Sequence, residues 1–88
     1  MKRQVIWQRR ALDDLAEITR RDRRAAVRIS QAVDRFAETA HGDVRKLQGD
    51  EDRYRLRVGD FRVIFRFAGD GVVILVLRVR NRREVYRD

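Results

Sequence analysis

The chain has no cysteine and no proline, one histidine, one methionine and only two lysines. Without cysteine there is no disulfide framework, no thiolate chemistry and no zinc site of the cysteine type. With His41 as the sole histidine, a histidine-rich metal site is excluded as well. The longest apolar run, Val72 to Leu77, is far shorter than the ~20 residues that span a bilayer, and the N-terminus lacks the apolar stretch of a signal peptide. No membrane association is expected, and the expected location is the cytoplasm. No repeat, low-complexity segment or linker interrupts the 88 residues, which suit a single small domain over residues 1–88.

What the chain has is arginine. Of 22 basic residues only Lys2 and Lys46 are lysine, against 14 acids, for a net charge of +8. Guanidinium groups pair bidentately with phosphate and stack on bases, so this surplus points to nucleic acid. An apolar fraction of 43% beside a charged fraction of 41% describes a folded core inside a charged surface.

The periodicity of the apolar residues changes once along the chain. Gln4 to Trp7 is a short apolar run whose four residues fit a first strand without separating strand from helix. From Arg9 the spacing is helical, with Leu12, Leu15 and Ile18 on one face and Asp13, Asp14 and Glu17 expected outside. A second helical stripe carries Ala25, Ile29, Val33, Phe36, Ala37 and Ala40, and is expected to end at His41-Gly42 with glycine as the left-handed residue. From Val44 the period is two, predicting strands at 44–47, 53–58, 61–67 and 72–80. The fold class is α+β: a first strand and a two-helix hairpin packed on one face of a largely antiparallel sheet.

Gly59-Asp60 suits a type II′ turn, which sets a register: Val58 opposite Phe61, Arg57 opposite Arg62, Leu56 opposite Val63, Arg55 opposite Ile64 and Tyr54 opposite Phe65. Alternation then puts Tyr54, Leu56, Val58, Phe61, Val63 and Phe65 on the core face and Arg53, Arg55, Arg57, Arg62 and Arg66 on the other. Like charges directly opposed across strands destabilise a sheet, so an anionic ligand is the expected complement of this face. The last strand, VVILVLRVR, is apolar on both faces until Arg78 and Arg80. A three-residue loop at Gly69 to Gly71 would bring both arginines to the cationic face and spare the core two charges.

The segments RKLQGDEDRYRLRVGDFRVIFRF and VVILVLRVRNRREVYR resemble the C-terminal half of RelE-type toxins of the RelE/ParE toxin-antitoxin superfamily, and the N-terminal strand and helices fit the same pattern. The resemblance implies a RelE-like fold and an endoribonuclease that cuts mRNA in the ribosomal A site without metal or cofactor, so inhibiting translation. It also implies a cognate antitoxin as partner, beside ribosome and mRNA, with operator DNA contacted only through the antitoxin complex. Carried over by motif, the catalytic residues are Arg55 and Arg57 in YRLR, Arg62 in GDFR, Arg80 in RVRNRR and Tyr86 in REVY. Arg45, Lys46, Arg53, Arg66, Arg78, Arg82 and Arg83 complete the expected RNA-binding set.

Attack by a ribose 2′-hydroxyl needs a base for its proton, cations for the phosphorane and an acid for the leaving 5′ oxygen. Arginine suits the second role, but with a pKa above 12 it is a poor proton carrier. Tyr86 is expected as base, with nearby positive charge lowering its pKa from about 10, or as a stacking platform for a nucleobase. His41 belongs to the helix end and is left out of the site. Two other readings stay open at this level: a ParE-like toxin acting on DNA gyrase, and a noncatalytic nucleic-acid-binding module.

Overall fold

A computed structural model describes residues 2–49 and 52–81. The elements run β1 (Gln4–Trp7), α1 (Arg9–Arg21), α2 (Arg23–Thr39), β2 (Asp43–Lys46), β3 (Tyr54–Val58), β4 (Phe61–Ala68), a 3-10 turn (Gly69–Gly71) and β5 (Val73–Asn81). They build a five-stranded sheet in the order β1-β5-β4-β3-β2, in which β1 pairs parallel to β5 and the other pairs are antiparallel. This is the α+β arrangement expected from the periodicity, with the run at Gln4 to Trp7 resolved as a strand.

One residue makes the helical hairpin. Asp22 closes α1 by donating its N–H to the Ile18 carbonyl at 2.7 Å, and opens α2 by accepting the Ala25 N–H on its carboxylate at 3.1 Å. A carboxylate at this position satisfies one of the orphan donors of a helix start and favours its dipole. The inner faces depart from the expected stripe in α1. Ala11 is fully buried there, Leu12 is 47% exposed, and Asp14, expected outside, turns towards β5. Ala11, Leu15 and Ile18 lie at helical spacings of three and four, and Asp14 shares their side of α1.

Helix α2 contributes Ala25, Ala26, Ile29, Val33, Phe36 and Ala37 to the core. Its left-handed terminal residue is Ala40, at φ 60°, two positions before the expected Gly42. Gly42 is needed for space instead: a Cβ built there would meet Leu56 Cδ1 at 2.7 Å. The loop backbone passes directly over a side chain that is buried in the sheet, so the glycine follows from packing.

The core lies between the helices and one sheet face, with Phe65, Ile29, Ile74, Val33, Val63 and Val76 as its largest fully buried members. An aromatic group of Phe36, Tyr54, Phe65 and Phe67 continues it, with ring centroids 5.3–5.7 Å apart in four of its pairs. Such pairs add about 0.5–1.5 kcal/mol each beyond their area.

The β3–β4 register is the expected one throughout, from Val58↔Phe61 to Tyr54↔Phe65. Gly59 has φ 57° and Asp60 has a negative φ, the combination a type II′ turn uses. The β4–β5 connection is corrected. Ala68 pairs with Val73, so the residues 69–72 join the strands where three had been expected. Left alone, that even-numbered loop would carry Arg78 and Arg80 to the core side. A register shift between Ile64 and Phe65 leaves Leu77 without a partner, a β-bulge that restores the other phase. Beyond it Val79 is buried opposite Val63 and Arg80 lies opposite Arg62. The cost of burying arginine predicts the face of Arg80 correctly; the device that achieves it is the bulge.

Candidate active site

The pairings of four strands define one cationic row on the sheet face away from the helices. Asp43 of β2 is opposite Arg57 of β3, Arg57 opposite Arg62 of β4, and Arg62 opposite Arg80 of β5. At about 4.8 Å between strands, Arg57, Arg62 and Arg80 occupy roughly 10 Å of the sheet. Arg57 is exposed and the other two are half-buried. Guanidinium is the side-chain cation whose fork matches phosphate bidentately, and this row gathers three of them on adjacent strands.

The next row is Arg45, Arg55, Ile64 and Arg78. Arg45 is exposed on the outer strand. Arg55 is largely withdrawn, its side chain 11% exposed, with Nη1 donating to the Asp43 carbonyl at 3.2 Å and 3.5 Å from Asp43 Oδ1. Its guanidinium is therefore engaged at the β2 edge. Arg78, expected on the open face, forms a side-on pair with Asp14: Nε donates to Oδ2 at 2.8 Å and Nη2 to Oδ1 at 3.2 Å. The bulge and the carboxylate on α1 together take it out of the face.

The remaining candidates are scattered. Arg66 is exposed on the arginine side of β4, opposite Leu75 and four residues from Arg62, or about 13 Å along the strand. Lys46 pairs with Tyr54 and shares the phase of Val44 and Leu56, so it belongs to the helix side of the sheet. Arg53 is exposed just before β3, where its carbonyl accepts the Leu47 N–H at 2.8 Å. Arg82, Arg83 and Tyr86 lie outside the described residues.

Two acids were missed by sequence reasoning, Asp14 and Asp43, and both hold arginines of the predicted set. Asp43 was legible in principle, since Val44 pairs with Leu56 on the core side and the residues flanking it must face the arginines. Asp14 was not, because nothing local shows which helical residue meets a strand more than sixty positions away. On the helix side, a groove of about 260 Å³ is bordered by Asp14, Glu17, Asp22, Phe61, Val79 and Asn81. Arg21 lies on its rim beside these carboxylates. No three His, Cys, Asp or Glu side chains are grouped to hold a metal ion among the described residues. No helix among them is long and apolar enough to cross a membrane.

A helical hairpin on a five-stranded sheet with a row of arginines across its open face is the arrangement that the resemblance to RelE-type toxins implies. The comparisons with known proteins agree. The sequence profile of the family described as the ParE toxin of the type II toxin-antitoxin system parDE matches residues 5–86, and the chain belongs to that family. It is 30% identical over 46 residues to the RelE1 protein of Methanocaldococcus jannaschii, a match covering 52% of this chain and 51% of that one. The chain thus spans about half the length of this curated relative in the match. Among solved structures it is similar to the toxin of the RelE–RelB complex of Pyrococcus horikoshii OT3, at 26% identity and TM-score 0.73, covering 93% of this chain and 97% of that one. A mutant of Escherichia coli toxin RelE in the free state shares the fold at 22% identity and TM-score 0.74, over 99% and 93% of the two chains. The YoeB/ParE toxin of Agrobacterium tumefaciens does so at 23% identity and TM-score 0.74, over 89% and 96%.

Proposed function

We propose that this toxin is a metal-independent endoribonuclease that cuts mRNA in the ribosomal A site. The observation that carries the reading is the row Arg57, Arg62, Arg80, which sets like charges opposite one another in two successive strand pairs. Three guanidinium groups on adjacent strands concentrate positive charge on one face of the sheet, and that field favours an anionic ligand there. In the proposed reaction the ribose 2′-hydroxyl gives up its proton and O2′ bonds to phosphorus as the bond to O5′ breaks, and O5′ takes a proton from solvent water, leaving a 2′,3′-cyclic phosphate and a 5′-hydroxyl. Arg62 at the centre of the row, with Arg80 and Arg57 on either side, holds the negative charge of the phosphorane as it develops. Arg80 also reaches the leaving oxygen from β5. Tyr86 takes the 2′-hydroxyl proton or stacks on the adjacent base. Arg55 steadies β2 through Asp43, while Arg45, Arg53 and Arg66 attract the strand from the rim of the face.

The partner is a cognate antitoxin, as for the Pyrococcus toxin, which was solved with RelB. A net charge of +8 favours an acidic segment, and operator DNA is reached through that complex alone. The matching family profile, that of ParE toxins, favours a second reading in which the same basic protein poisons DNA gyrase.

Primer extension on a message translated by purified ribosomes separates the two. The ribonuclease gives codon-phased cuts that disappear in Arg62→Ala. Intact message together with accumulated gyrase–DNA cleavage complexes would establish the gyrase reading instead. Salt-dependent RNA affinity with neither product would mark a noncatalytic binding module.

A further inference from the structure

We propose that Asp14 is a positioning residue that locks the β5 bulge in the register bringing Arg80 opposite Arg62. The inference rests on the reading of the arginine row as the phosphate site. Its basis is how β5 loses its partner. Strand β1 pairs with β5 only from Val73 to Val76, and α1 begins two residues after β1 ends. From Leu77 onward no strand among the described residues lies against the outer edge of β5, at the point where the chain bulges.

Asp14 takes the place of that strand. Its Oδ2 accepts the Val79 N–H at 2.9 Å and the Arg78 Nε–H at 2.8 Å, and Oδ1 accepts from Arg78 Nη2 at 3.2 Å. The pair is well shielded, with side-chain exposures of 28% for Arg78 and 18% for Asp14. A charge-assisted fork in such surroundings is stronger and more directional than a surface ion pair. The contact reaches the backbone one residue before Arg80 and the side chain next to it.

Both consequences bear on the row. A one-residue slip would pair Val79 with Arg62 and Arg80 with Phe61, reversing which side chains face the core. The Val79 N–H bond to Asp14 is made only in the bulged register, so the carboxylate selects it. The fork also draws Arg78 to the α1 edge, leaving Arg80 as the arginine of β5 that completes the row. None of these atoms touches RNA in the proposed reaction; Asp14 acts through Arg80.

The test uses the full chain with Asp14→Ala and Asp14→Asn, compared with wild type at equal folded fraction. Asparagine retains an acceptor for the Val79 N–H, whereas alanine does not. NMR cross-strand contacts between the Val63 and Val79 backbones read the register without reference to activity. The expected result is loss or weakening of those contacts in Asp14→Ala, with cleavage on ribosomes reduced roughly 100-fold, as for a misplaced catalytic group. Ribosome affinity stays within about twofold, because the rim arginines are untouched. Asp14→Asn keeps the contacts and most of the cleavage. Unchanged Val63–Val79 contacts in Asp14→Ala would overturn the inference, as would cleavage restored to wild-type rate once folding is matched. If wild type itself cuts no message, the ribonuclease reading fails while the NMR comparison still decides the role of Asp14.

Discussion

Arg62 and Arg80 lie directly opposite each other on neighbouring antiparallel strands, and they do so only because Leu77 has no partner. One unpaired residue turns the arginine phase of β5 from the core side of the sheet to the opposite face. The centre of the row follows from this. Arg62 has an arginine across from it on each side, Arg57 in β3 and Arg80 in β5.

Arg62→Gln should therefore separate activity from stability. Removing one preorganised charge donor from a phosphorane site costs about 100- to 1,000-fold in rate. Removing a partly exposed surface charge usually changes stability by no more than about 0.5 kcal/mol. Cleavage kinetics on ribosomes and denaturant unfolding of the same preparation check both halves. A rate within tenfold of wild type would remove Arg62 from the centre of the mechanism.

Asp43 holds the opposite prediction, because it is the acid in a row otherwise made of arginine. Asp43→Asn should tighten RNA binding, and Arg57→Ala should weaken it and flatten the dependence of log K on log salt by about 0.7. Arg66→Ala, about 13 Å from Arg62 along β4, should lower affinity while leaving the single-turnover rate of bound message nearly unchanged. Binding isotherms at several salt concentrations distinguish these variants.

The parts of the fold legible in sequence were those governed by local rules. The β3–β4 register follows from Gly59-Asp60 and strict alternation, so Tyr54, Leu56, Val58, Phe61, Val63 and Phe65 were all placed on the core side. Three features were not legible, and each depends on contacts distant in the chain. The bulge at Leu77 buries Val79 and turns Arg80 outward together, against the phase set by the loop at residues 69–72. Asp14 turns inward because Arg78 and the Val79 N–H meet it there. The end of α2 at Ala40 depends on the following loop passing over Leu56. The candidate site was legible as a set of arginines, and its division into the Arg57, Arg62, Arg80 row and arginines held by Asp14 and Asp43 required the tertiary structure.

The two glycines beside the sheet should fail for different reasons. Gly42→Ala places a methyl group 2.7 Å from Leu56 Cδ1, a side chain only 2% exposed, so overpacking should cost about 1–3 kcal/mol. Gly59→Ala meets no atom within 4 Å but holds φ at 57°, and the strain should cost about 1 kcal/mol. Relieving the first clash with Leu56→Val should recover part of the loss, whereas the same change should not help Gly59→Ala. Urea unfolding of the single and double variants measures the coupling.

The two tyrosines offer the sharpest control on proton transfer. Tyr54 stacks on Phe65 at 5.7 Å and meets the edge of Phe67 at 5.3 Å, on the helix side of the sheet. Its ring belongs to the core, and Tyr54→Phe should leave cleavage within about threefold of wild type while changing stability by less than about 1 kcal/mol. Tyr86 is the proposed base or stacking residue of the reaction. Tyr86→Phe keeps the stacking surface and removes the proton acceptor, so a rate loss of at least about 100-fold is expected if the phenol is the base. Tyr86→Phe at wild-type rate with Tyr86→Ala impaired would assign the ring to stacking, and equal rates in all three proteins would remove Tyr86 from the site.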